Sequence, residues 1–392
     1  MQPTTVCKVA KTVSCHCWNA DRTQIAIATR NSNDISIYEN CCSSRFEDWK
    51  LLHTLSGHDL PITGLDWDPI HNRILSCSED CNAYVWNYEN GKWLPTLVVL
   101  KIQRAALCCK WSPDGNAFAV GSSDRKLRIC TFNADQNLWV SPHGVRVKQE
   151  RDEDGEAADS SISSKTRGSI FCLCWDRTGQ LLCRGSLDGS MSVVSTYYNP
   201  SLPIRDCPFD IASKDLFGFV FGDTCGVVES IAFSPNNTTI AYSDRNSDVH
   251  FLDFVGHAMS KQTIHCPSLP FTHIAFLSNT VLLAGGFDGN LYILNKQNGK
   301  WEYRGTVDVS AGTSSGLSSS FQERIRMLQS STNKGGVKTT GNRDSAKGSV
   351  GPHKNAITGI QVMEENKKVS TCGLDGRIVI WNMEAILKRM GL

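Results

Sequence analysis

The hydrophobic pattern repeats along this chain. One unit recurs seven times: an apolar pair ending in an aromatic residue, a short polar turn, an apolar strand of small residues, then Asp and a third strand. The aromatic anchors are Trp18, Trp67, Trp111, Trp175, Phe233 and Phe276, with Val362 in the equivalent place of the last unit. Thirteen residues after most anchors stands a turn Asp: Asp80, Asp124, Asp188 and Asp375, with Asp288 twelve residues after Phe276. Units one and five carry Asn31 and Asn246 there, followed by Asp34 and Asp248. Strands of this length bounded by turn residues predict β-structure throughout.

The anchor separations are 49, 44, 64, 58, 43 and 86. A basic period of about 43 is what one four-stranded propeller blade requires. The prediction is therefore an all-β, seven-bladed β-propeller of the WD40 type, one domain over residues 1–392. Two units carry a fuller signature. His58, Asp80 and Trp86 are spaced by 22 and 28 residues from the His, and His353, Asp375 and Trp381 repeat that spacing. With a strand hydroxyl (Ser76 or Ser78; Thr371) they resemble the WD-repeat hydrogen-bond tetrad, because a buried imidazole needs a partner for each ring nitrogen. The seventh unit ends at a third strand and a short tail. Residues 3–9 have strand character and are expected to supply its fourth strand, closing the ring and removing exposed sheet edges.

Three stretches interrupt the period. Residues 145–168 are acidic and Ser-rich with almost no apolar content, and are expected to form a disordered loop. Residues 199–226 hold Phe209, Leu216, Phe217, Phe219 and Phe221, and are expected to pack on one face of the ring as an inter-blade loop. Residues 310–351 open Gly/Ser-rich and then present a short amphipathic helix at 320–329, between blades 6 and 7. Ser320 and Glu323 fit a capping box, and Phe321, Ile325 and Leu328 share one helical face. A helix this short is marginal alone, so its apolar face needs a second surface. From 317 to 354 seven Lys/Arg face two Asp/Glu, which would steer the segment toward an acidic partner.

Composition narrows the function. With 40 Lys+Arg against 39 Asp+Glu the net charge is +1, and 40% of residues are hydrophobic. That is an ordinary globular balance without the basic excess of a nucleic-acid binder. No apolar stretch is long enough to span a membrane, and the first residues are too polar for a signal peptide, so an intracellular protein is expected. Seventeen cysteines without a Cys-x-x-Cys are expected to be reduced core thiols. No phosphate-binding glycine loop and no metal motif occurs, so no cofactor and no metal are predicted. Gly312-Thr-Ser314-Ser-Gly316 matches a nucleophile elbow, yet lacks the strand–helix setting that motif needs. No catalytic residue is predicted.

The segments Asp21-Arg-Thr-Gln-Ile25, Ile62-Thr-Gly-Leu-Asp-Trp67, Asn116-Ala-Phe-Ala-Val-Gly121, 320–328 and Thr371-Cys-Gly-Leu-Asp-Gly-Arg-Ile-Val-Ile-Trp381 carry a specific resemblance. Together, in order along nearly the whole chain, they look like the WD-repeat subunit 1 family of the actin-related protein 2/3 complex. The resemblance implies a non-catalytic scaffold in a seven-subunit assembly that nucleates actin filaments as branches, in the cytoplasm and actin cytoskeleton of the cell cortex. The implied partners are the actin-related proteins, the other small subunits, the actin filament and nucleation-promoting factors, with no nucleic acid and no membrane insertion. By position it places contact with actin or an activator on Phe321, Arg324, Ile325, Met327 and Leu328. The alternative is a generic WD40 interaction adaptor such as a ubiquitin-ligase substrate receptor. The Trp-Asp-x-Arg of one large receptor class is missing, since Trp86 and Trp381 are each followed by Asn.

Overall fold

The structure, a computed structural model, describes residues 5–41, 43, 45–141, 168–196, 218–221, 226–255, 258–307, 352–364 and 367–392. These residues form seven four-stranded antiparallel sheets, six of them in simple chain order from inner to outer strand. Blades 1 to 6 occupy 15–55, 62–98, 106–140, 170–221, 228–265 and 271–306. Blade 7 takes three strands from 357–382, and its outer strand is Thr5–Lys8, paired antiparallel with Arg377–Ile380. Innermost strands of successive blades neighbour one another around the ring, including blade 7 against blade 1.

The anchors lie at the end of each inner strand, or two residues before it for Phe276 and Val362, where apolar clusters fill the space between blades. Leu75 and Val85 of blade 2, for example, pack with Trp111, Phe118 and Trp139 of blade 3. Arg73 crosses the same seam, stacking at 4.9 Å over Trp111 and donating to the Gly115 carbonyl at 2.6 Å. The second strands are buried on both faces, as in Ala117–Ser122 and Leu181–Ser186, which is why they read as continuous apolar runs of small residues.

The cysteines have a structural logic. Six of the seven inner strands shift register by one residue near their start. In four blades the pair just after that bulge is one Cys opposite one Gly: Gly64 with Cys77, Cys108 with Gly121, Cys172 with Gly185, and Gly359 with Cys372. A Cβ on Gly121 would stand 2.6 Å from Ile170 of the next blade, and one on Gly185 2.5 Å from Val228. Only one side chain of the pair fits, and a thiol is the right size. The described cysteines are all free.

Two features depart from the sequence expectations. Within 199–226, Gly218–Phe221 is the outer strand of blade 4, paired with Met191–Val194, and not part of a loop. After the last strand, where a short tail was expected, Met383–Met390 is a helix. Asn382 caps it by accepting from the Ala385 amide at 3.3 Å, and Gly391 ends it at φ 72°. Its Met383, Ile386 and Leu387 bury against Leu277, Val281 and Trp381, covering the seam between blades 6 and 7. All but Gly168 of the predicted disordered loop at 145–168, most of 199–226, and the insertion 310–351 with its helix 320–329 lie outside the described residues.

Candidate functional site

Because each blade is a meander, the turns after its first and third strands lie on one face of the ring. Those after its second strand, and the links between blades, lie on the other. The two tetrads sit on the latter face. In blade 2, His58 Nδ1 donates to Asp80 Oδ2 at 2.8 Å, Ser76 Oγ donates to His58 Nε2 at 2.8 Å, and Trp86 Nε1 donates to Ser76 Oγ at 2.9 Å. In blade 7 the same chain runs through Asp375, His353, Thr371 and Trp381, at 3.2, 2.8 and 3.0 Å. Of the two hydroxyls proposed for blade 2, Ser76 is the one used; Ser78 donates to the Leu60 carbonyl at 2.8 Å.

Asp–His–Ser in this order is also the order of a nucleophilic relay. Here Ser76 and Thr371 are fully buried and each already accepts from a tryptophan. No substrate reaches them, and burial pushes the His58 pKa down despite the Asp80 carboxylate. The geometry is that of a clasp joining the inter-blade link, the turn and two strands. Asp375 accepts from His353 and from the Lys354 amide at 2.7 Å. Burial raises its pKa, but these bonds outweigh it and hold the carboxyl below its ordinary value.

Polar members of the inner strands link neighbouring blades around the central channel. Asp66 of blade 2 accepts from Lys110 Nζ and from the Trp111 amide of blade 3, both at 2.8 Å. His16 of blade 1 binds Ser370 Oγ of blade 7 at 2.8 Å, and burial pushes its pKa down to about 3. On the face of the first-strand turns the channel opens into a cavity of about 340 Å³, lined by the anchors Trp175, Phe233, Phe276 and Val362 and by Arg22 and Arg177. The sequence reading did not find this mouth, because the anchors come from four separate repeats.

A second surface is the outer flank of blades 1 to 3. Leu51, Leu94, Leu97 and Leu138 are exposed on its outermost strands, and Tyr88 and Phe132 on the third strands beside them. Scattered apolar residues are normal on a surface; these six gather on one flank. No metal was predicted, yet among the described residues Asp244, Asp248 and His250 bring ligand atoms within 4.8 Å of one another. Phe321, Arg324, Ile325, Met327 and Leu328 lie outside the described residues.

The family described as WD domain, G-beta repeat matches residues 49–87, 99–130 and 346–382. The first and last of these spans hold the two tetrads. Along the whole chain, similarity is more specific. Actin-related protein 2/3 complex subunit 1B of Arabidopsis thaliana is 30% identical over 98% of this chain and 97% of its own length. The chain belongs to the actin-related protein 2/3 complex subunit 1 family. Subunit 1A-B of Xenopus laevis is 31% identical over 95% of both chains, and subunit 1 of Saccharomyces cerevisiae 28% over 94% of both. As a member of the subunit 1 family the chain is a WD-repeat propeller, and that family is not a known enzyme family.

Proposed function

We propose that this chain is a non-catalytic scaffold subunit of the actin-related protein 2/3 complex. It supports nucleation of branched actin filaments and contacts actin through its 310–351 insertion. The observation that carries the assignment is similarity that covers 98% of this chain and 97% of the Arabidopsis relative, and 95% of both chains for the Xenopus one. The rigid ring and the apolar flank of blades 1 to 3 support a role in holding other subunits. The basic charge and amphipathic pattern of 317–354 support a contact with an acidic surface such as actin or a nucleation-promoting factor. The site of action is the cytoplasm and cortical cytoskeleton.

Affinity purification of the tagged chain from its own cells tests the assignment. Two actin-related proteins and four smaller subunits are expected in equal amounts. Recovery alone, or with ubiquitin-ligase components, would transfer the assignment to the adaptor class. Within the recovered complex, joint replacement of Phe321 and Leu328 by Asp is expected to leave subunit stoichiometry intact and slow branching about tenfold, the equivalent of ~1.4 kcal/mol of lost contact. Unchanged branching in purified components would remove the insertion from the mechanism.

A further inference from the structure

Blade 5 lacks the residues of the tetrad. Counting from its anchor Phe233, Tyr242 stands where Ser76 stands in blade 2, and Leu252 stands where Trp86 does. In their place the strand register assembles a different polar group. Tyr242, His250 and Thr263 lie opposite one another on three successive strands, and Asp248 lies opposite His265. Asp244 closes the hairpin beside Asp248.

The order of this cluster is that of a metal site with its outer partners in place. Asp244 Oδ1 is held by the Asn246 and Asp248 amides at 2.9 and 3.1 Å, which leaves Oδ2 facing His250 Nε2. His250 Nδ1 is bound to Thr263 Oγ1 at 2.9 Å, the bond that fixes a ligating imidazole with its Nε2 lone pair inward. His265 Nδ1 binds one Asp248 oxygen at 2.8 Å. The Asp244 Oδ2–His250 Nε2 separation, 3.3 Å, is long for a hydrogen bond. It matches the roughly 3.3 Å expected between neighbouring ligands on a tetrahedral ion with bonds of about 2.0 Å.

Two further observations point to a cation. Among the described residues the two carboxylates have no Lys or Arg within ion-pair distance; the adjacent Arg245 pairs with Glu229 instead. Their only ionisable partners there are the two histidines, and neither carboxylate is matched by a permanent positive charge. Beside them Tyr242, fully buried and stacked on His250 at 4.5 Å, has a hydroxyl without a hydrogen-bond partner. An orphaned buried donor needs an acceptor, and a water held on an ion supplies one.

We propose that Asp244, Asp248 and His250 bind a divalent first-row transition ion on the tetrad face of blade 5. One imidazole and two carboxylates suit Mn²⁺, Fe²⁺, Co²⁺ or Zn²⁺ better than Ca²⁺. Asp248 is 25% and His265 75% exposed in their side chains, which leaves an entry path. The bound ion ties the second-strand turn to the third strand, as the tetrads do in blades 2 and 7.

The many thiols make Zn²⁺ uptake alone a poor test, so Co²⁺ is the probe. The full-length chain is stripped with chelator, exposed to Co²⁺ and freed of excess by gel filtration. About one equivalent is expected, with d–d absorption and no thiolate-to-cobalt charge-transfer band, together with a raised melting temperature. Asp248→Asn, at a partly exposed position, is expected to fold and to weaken Co²⁺ binding roughly tenfold or more. His250→Gln is expected to abolish it. No retained Co²⁺, a spectrum dominated by thiolate bands, or equal binding by Asp248→Asn would overturn the site and leave a hydrogen-bonded clasp without an ion.

Discussion

In blade 2 the polar clasp begins outside the sheet. His58 comes from the link before the blade, reaches the turn at Asp80, and passes through Ser76 to Trp86 in the third strand. In blade 5 every member of the corresponding group lies in the sheet or its hairpin, and it ends on Thr263 at the surface. Both blades have the same strand order and the same bulge in the inner strand. Blades 2 and 5 therefore tie their second and third strands with different sets of polar residues. What differs is depth. Ser76 is fully buried, and so it costs far more to leave unpaired than an exposed threonine.

The largest expected effect follows from that depth. Trp86→Ala removes a buried indole and strips Ser76 of a donor, and is expected to destabilise by about 4–5 kcal/mol. Leu252→Ala, at the same distance from its anchor in blade 5, is expected to cost about 3 kcal/mol, since it breaks no hydrogen bond. Equal losses in urea unfolding would show that the clasp adds nothing to the packing. A smaller contrast isolates the hydroxyls. Ser76→Ala is expected to cost about 1–3 kcal/mol, whereas Thr263→Ala, exposed, should stay within about 0.5 kcal/mol in the absence of metal. Calorimetric melting of both variants checks this.

The smallest effect at neutral pH is titration. His16 and His58 have pKa values lowered by burial, so the unfolded chain takes up protons that the folded chain refuses. Their contribution is fully present above about pH 6.5 and is lost as pH falls toward the folded values. For His16, with its folded value of about 3, the slope over that window is ~1.4 kcal/mol per pH unit. His16→Gln is expected to remove one proton's worth of that slope between pH 6 and about 4. An unchanged slope would mean the imidazole is protonated in the folded ring.

The contrast between blades also explains what could be read in advance. The anchors, the turn aspartates and the two tetrads keep fixed spacings, because each repeat places them by turn and strand length. The blade 5 cluster is assembled by register across three strands, so its residues share no spacing with any other blade. The outer strand Gly218–Phe221 reads as loop in the sequence because more than twenty residues separate it from its partner, with no hairpin signal between them. The helix Met383–Met390 has only eight residues, too few for its period to stand out. Its stability comes from the apolar seam beneath it.

Closure by Thr5–Lys8 has a consequence for synthesis. That strand is made about 370 residues before its partner Arg377–Ile380 exists. At ~5–20 residues per second it waits roughly 20–75 s with its ladder groups unmet. Until then no arrangement of the other six blades completes the ring. During the wait, the matching strand of a second nascent copy offers the same register as the chain's own. On a crowded polysome, the final pairing therefore decides whether a ring belongs to one polypeptide or is shared between two.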